Sequence, residues 1–147
     1  MRSKIHLFTL FVACFYLPTL FAAGAIEGNW VCKDDKTGVK RAIIHLFVDG
    51  DQLKGNIDKV FPEPGDTGLC SNCPGDFKNK PIQGLQIIWG LVEKHPGAWE
   101  GGNILDAKTG KIYRAKMTVK KDKLYVRGYV GVSVLGRTQI WDREANS

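Results

Sequence analysis

The sequence predicts an all-β protein, a single antiparallel up-and-down barrel of about eight strands that follows a cleavable N-terminal signal. Three observations carry this expectation. Short segments of alternating apolar and polar residues recur along the chain, separated by clusters of Gly, Asp, Asn and Lys that favour turns. No segment has the length and periodicity of a long amphipathic helix. The stretch Leu124 to Arg143, LYVRGYVGVSVLGRTQIWDR, reads as two closing strands, its strand-formers Val126, Val130, Val132, Val134 and Ile140 interrupted by Gly128, Gly131 and Gly136. Glycines at such places let a strand bulge or bend as a small barrel closes. An antiparallel barrel closes only by bringing its first strand beside its last, so Gly28-Asn29-Trp30 is expected to meet this stretch.

In chain order, Arg2 and Lys4 precede the almost wholly apolar run Ile5 to Leu20, and Ala23-Gly24-Ala25 supplies small residues for cleavage. Residues 1–25 therefore read as a secretory signal, cut after Ala25, with residues 26–147 as the domain. A transmembrane anchor fits less well, because the run is short of the roughly 20 residues a spanning helix needs and contains Pro18. Lipidation at Cys14 would leave Phe15 to Leu20 of the apolar run beyond the modified residue, where it fits less well. The expected location is beyond the cytoplasm, in the periplasm or secreted, with no stable membrane insertion after cleavage.

The 147 residues suffice for one domain. The net charge of +6 falls to +4 without residues 1–25, and Lys and Arg alternate with Asp and Glu throughout. Nucleic-acid binders concentrate their charge, so no nucleic-acid partner is expected; a protein partner is left open.

Gly28 to Asp34 reads as the first strand and Arg41 to Val48 as the second, broken only by His45, expected in the core or on a cavity wall. Asp49-Gly50 marks a tight hairpin to Leu53, Gly55 and Ile57, which alternate with polar residues. From Lys59 to Pro81 four prolines and several glycines make a long loop, of a length uncommon unless pinned or functional. Gly84 to Val92 fits a strand and, nearly as well, a short helix. Trp99 to Leu105, Tyr113 to Val119 and the two closing strands complete the count.

Six blocks, Gly28-Asn29-Trp30, Cys70-Ser71-Asn72-Cys73, Pro81 to Leu85, Trp99 to Asp106, Gly110 to Tyr113, and Arg127-Gly128-Tyr129 with Gly136 to Arg143, together resemble a family of small exported bacterial proteins. It is a domain-of-unknown-function family with a lipocalin-like, calycin-type barrel, and the resemblance covers nearly all of the chain after residue 25. It implies binding of a small apolar or amphipathic molecule and no established enzyme activity. It also implies that Arg143 lies over Trp30 to close the barrel floor, with Arg137 as the competing candidate. Cys32 stands outside the pattern.

Cys70 and Cys73 are the sharpest local signal. In an oxidising compartment they read as a disulfide stapling the loop, 70 to 73 or Cys32 to one of them. A redox-active pair and a metal site built from Cys32, Cys70, Cys73 and His45 or His95 are the alternatives, neither with its usual context. No cofactor, metal or catalytic set is expected: no Ser-His-Asp order or phosphate loop appears, and Glu93, Glu100 and Asp106 read as surface carboxylates. An open barrel would be lined by a subset of Phe47, Trp89, Tyr113, Met117 and Leu124, the long loop covering its mouth. Arg127 would anchor a carboxylate if its face points inward; the opposite register turns Leu124 and Val126 inward instead. The leading function is small-molecule binding, with a non-catalytic envelope or interaction module and a thiol or metal protein as rivals.

Overall fold

The computed structural model describes residues 23–145. One helical turn, α1 (Ala23–Ile26), precedes eight strands: β1 (Gly28–Lys33), β2 (Lys40–Asp49), β3 (Gln52–Val60), β4 (Gln86–His95), β5 (Ala98–Leu105), β6 (Ile112–Lys120), β7 (Lys123–Tyr129) and β8 (Arg137–Arg143). Each strand pairs antiparallel with the next, and β1 pairs with β8 through Trp30↔Arg143 and Val31↔Asp142, closing the barrel. The expected signal lies, up to residue 22, outside the described residues. Among those described, no helix is long and apolar enough to cross a membrane.

Local chemistry accounts for the joins. Asp49 pairs with Gln52 across a two-residue turn in which Gly50 takes a φ of 67°, the left-handed geometry that tight hairpins require. The segment that fits helix and strand alike is the strand β4. Its fully buried Ile88 and Leu91 stand three residues apart yet both pack inside, since Ile88 pairs with Gly55 and Leu91 with Leu53 across a bulged register. A bulge thus imitates helical spacing. Opposite it on β5, a Cβ on Gly102 would fall 2.4 Å from Leu91 N and Trp89 O, so glycine is what lets the two strands approach.

The closing stretch departs from expectation. β7 ends at Tyr129 and β8 begins at Arg137, so Val130, Val132 and Val134 lie in a connection with a 3-10 turn at Ser133–Leu135. Strand propensity is realised only where a partner strand exists; the β6 ladder ends at Arg114↔Tyr129, and Gly131 takes a φ of 72° just beyond it.

Residues 61–85 form the long connection, from one residue after the end of β3. It is pinned by a Cys70–Cys73 disulfide, by a Leu69↔Pro81 bridge and by Cys70 N–H donating to Lys80 O at 2.8 Å. It also abuts the β5–β6 turn, where Asn72 Nδ2 donates to Lys108 O at 3.2 Å. A Cβ on Gly110 would sit 1.8 Å from Asn72 O, which makes this docking dependent on glycine.

The barrel interior is packed at one end. Ile26, Trp30, Leu46, Leu53, Leu91, Trp99, Met117 and Leu124 are buried there in one cluster. The α1 turn plugs the floor: Ile26 is fully buried, and its carbonyl accepts the Trp30 indole N–H at 2.8 Å. The Arg143 guanidinium lies 4.2 Å from the centre of the Trp30 ring, a cation–π contact. Its Nη1 donates to Glu27 O at 3.1 Å. Arg137, the competing candidate, sits at the other end and pairs with Asp35.

Candidate ligand cavity

Above this floor the barrel is hollow. A cavity of about 750 Å³ occupies the half nearer the β1–β2, β3–β4, β5–β6 and β7–β8 connections. Its wall is laid down by strand alternation, which turns every second residue inward. β2 and β3 contribute Ala42, Ile44 and Ile57; β4 and β5 contribute Ile87 and Ile104; β6 to β8 contribute Tyr113, Val126, Gly128, Gln139 and Trp141. Gly128, facing Tyr113, leaves room where any side chain would stand.

The mouth is polar. Residues 61–63 and 65–69 of the long connection, with Ser71 and Asn72, border it, as do Arg41, Asp106, Lys108 and Arg137. Glu63 receives both the Arg41 guanidinium and, at 3.0 Å, the Lys108 ammonium. These partners, Lys108 first, hold the Glu63 carboxyl below the ordinary carboxylate range, and Glu63 raises Lys108 in return. The pairs are half-buried or exposed and individually weak. Their effect is geometric, tying the connection to β2 and to the β5–β6 turn.

Of the residues expected to line an open cup, Tyr113 does so. Met117 and Leu124 point inward but belong to the packed floor. Phe47 is half-buried on the outer face, stacked on His45 at 6.0 Å between centroids, because Leu46 takes the inward position. His45, expected inside, is for the same reason exposed, its Nδ1 2.8 Å from Asn29 Oδ1. Trp89 stacks on Phe77 of the long connection at 5.6 Å, clear of the cavity. Arg127 follows the register in which Leu124 and Val126 face in. Its Nε donates to Ser133 O and its Nη1 to Thr138 Oγ1, both at 2.8 Å, so it braces the β7–β8 connection.

Two inward groups were missed from the sequence, Cys32 and Gln139. The signal was available: Trp30 and Cys32 share one phase of β1, as Gln139, Trp141 and Arg143 share one phase of β8. Trp141 Nε1 donates to Gln139 Oε1 at 3.2 Å, and Cys32 Sγ lies 3.9 Å from the same oxygen. Cys32 is a free thiol, and burial, reinforced by Asp35, Asp106 and Asp34, pushes its pKa from 9.0 up to about 12. The neutral thiol is thus the folded form; its contribution to stability holds below pH 9.0 and is lost as pH rises toward 12. Iodoacetamide at pH 8 should modify Cys32 far more slowly in the folded protein, where the thiolate is disfavoured, than in urea, read by intact mass. Equal rates in the two states would refute the raised thiol pKa.

Cys70 is fully buried and Cys73 nearly so, their sulfurs bonded to each other, so neither is available as a thiolate ligand.

A search of curated proteins finds no match to this chain. Among solved structures the fold is similar to HP1028 from the human pathogen Helicobacter pylori, a protein described as belonging to the lipocalin family. The TM-score is 0.70 at 14% identity, over 82% of this chain and 83% of that one. This likeness is one of fold, and it makes the barrel lipocalin-like. The six sequence blocks lie within the span that matches a family model, residues 28–143, and the chain belongs to that family, the bacterially conserved uncharacterized proteins of DUF2147.

Proposed function

We propose that this protein is an exported carrier that holds a small molecule with an apolar body and a polar head in the open half of its barrel. The observation that carries this reading is the division of the interior. An apolar wall of isoleucines, Val126 and Trp141 leads up to a mouth of charged and polar groups, in a volume within the roughly 300–1,000 Å³ usual for ligand sites. An amphipathic ligand would bury its chain below and leave its head beside Arg41, Lys108 and Arg137. The lipocalin-like fold supports small-molecule binding at that level. The envelope-module rival anticipates a filled interior, which the cavity disfavours. The thiol rival is disfavoured by the burial of the Cys70–Cys73 disulfide. Export rests on the sequence of residues 1–25.

N-phenyl-1-naphthylamine, a neutral apolar fluorophore, should bind the barrel with one-to-one stoichiometry, brighten on entry and quench the cavity-lining Trp141. Single-chain fatty acids and lysolipids should displace it with affinity rising with chain length. No saturable fluorescence at micromolar protein would sink the carrier reading.

A further inference from the structure

We propose that the open rim of the barrel docks on an anionic lipid surface, with the β7–β8 connection as its apolar contact. Eight large hydrophobic side chains are exposed among the described residues, and their distribution is one-sided. Val39 lies in the β1–β2 connection, Leu69 in the long one and Ile112 at the start of β6. Val130, Val132, Val134 and Leu135 lie in the β7–β8 connection; only Ile140 is on the barrel wall. Seven of the eight therefore surround the mouth. The floor-end turns carry Asp, Lys, Pro and Gly instead.

The β7–β8 connection is the strongest element of the ring. Its four apolar residues are 71%, 57%, 79% and 79% exposed, and no charge occurs from Val130 to Gly136. It is held in shape: Arg127 Nη2 donates to Val134 O at 3.1 Å, beside the two bonds already described, and Gly136 N–H donates to Ser133 O at 3.1 Å. Apolar side chains held rigidly in water signal a surface that is covered in use.

Charge selects lipid as the cover. The carboxylates of the rim connections are mostly engaged within the protein: Asp34 and Asp106 by the amides of their own turns, Asp35 by Arg137, Glu63 by Arg41 and Lys108, and Asp66 by the Glu63 amide. Asp76 is the exception. The exposed ammonium groups of Lys36, Lys40, Lys80 and Lys111 have no ion-pair partner among the described residues and are free for lipid phosphates. Scattered aliphatic tips interspersed with lysines match an interface that adapts to them, as headgroups and acyl chains do. Docked in this way, the mouth would face the membrane. Neither the docking nor this orientation rests on the carrier reading.

The test uses the chain from residue 23 onward, which contains every strand of the closed barrel, with flotation against phosphatidylglycerol-containing and pure phosphatidylcholine vesicles at low salt. The wild-type chain should float with the anionic vesicles. V132D/L135D should weaken that binding by about tenfold or more, K36E/K111E should weaken it in a salt-sensitive way, and I140D on the wall should leave it unchanged. A wild-type chain that stays in solution, or V132D/L135D binding like wild type, would overturn the proposal. So would dimerisation abolished by V132D/L135D without vesicle binding, which would assign the rim to a second copy of the chain. Naphthylamine binding in vesicle-free solution separates the two readings: loss of vesicle binding alone removes the docking, loss of fluorophore binding alone removes the carrier.

Discussion

Ala42→Trp is expected to weaken binding of N-phenyl-1-naphthylamine by roughly fifteenfold while leaving the barrel folded. Ala42 lies on β2 opposite Cys32, half-buried, with its methyl group on the cavity wall. An indole there occupies space that the probe otherwise fills. If it displaces the equivalent of two methylenes at about 0.8 kcal/mol each, the loss is about 1.6 kcal/mol, which gives the stated factor. Overpacking a filled core costs about 1–3 kcal/mol, but this substitution points into a void of about 750 Å³ and needs little rearrangement of its neighbours. Fluorescence titration measures the affinity, and circular dichroism with a thermal melt checks the fold. Unchanged affinity in a folded variant would mean that the probe binds elsewhere. Ile140→Trp on the outer wall is the control and should bind as wild type does.

Trp30→Ala should carry the largest stability loss, about 3–5 kcal/mol. That is a large share of the roughly 5–15 kcal/mol available to a domain of this kind. Trp30 is fully buried at the junction of three parts of the floor. It packs in the core cluster, donates its N–H to Ile26 O, and lies under Arg143 of β8. Trp30→Phe keeps most of the packing and forfeits the hydrogen bond, for about 1 kcal/mol. Urea denaturation of both variants separates the two contributions. A loss below about 1 kcal/mol for Trp30→Ala would show that the floor is not organised around this ring.

Much of this architecture was legible because barrels are written in local terms. Alternation, turn residues and the Asp49-Gly50 pair located the strands, and the need for the chain ends to meet placed Trp30 beside the closing stretch; that Arg143 rather than Arg137 covers it came from the family resemblance. What local reading does not supply is phase. Strand geometry makes Phe47 and Leu46, or Arg127 and Val126, exchange faces on a one-residue slip. Only contact with the neighbouring strands chooses between them. The same gap hid Cys32 and Gln139, polar residues in an inward phase. The Val130 to Leu135 segment misled for a different reason: β-branched composition records what a residue favours, not whether a partner strand is present to receive it. The polar mouth was largely illegible, because Arg41, Glu63, Asp106, Lys108 and Arg137 come from separate connections and become neighbours only when the barrel closes.

The β1–β8 seam has a consequence for the order of assembly. Every other ladder joins strands adjacent in sequence, and most can begin as local hairpins. The seam joins Trp30 to Arg143 through two backbone pairs, supplemented by Asn29, whose Nδ2 donates to Glu144 Oε2 at 2.9 Å and whose carbonyl accepts the Glu144 N–H at 3.0 Å. Contacts between chain ends carry the greatest loop-closure entropy and form late. The meander from β1 to β8 can therefore take shape while the seam, and the floor that the α1 turn completes across it, are still open. For a chain cut after Ala25, that interval leaves the cleavage point accessible before Ile26 enters the floor, so processing and final closure would be successive events rather than competing ones.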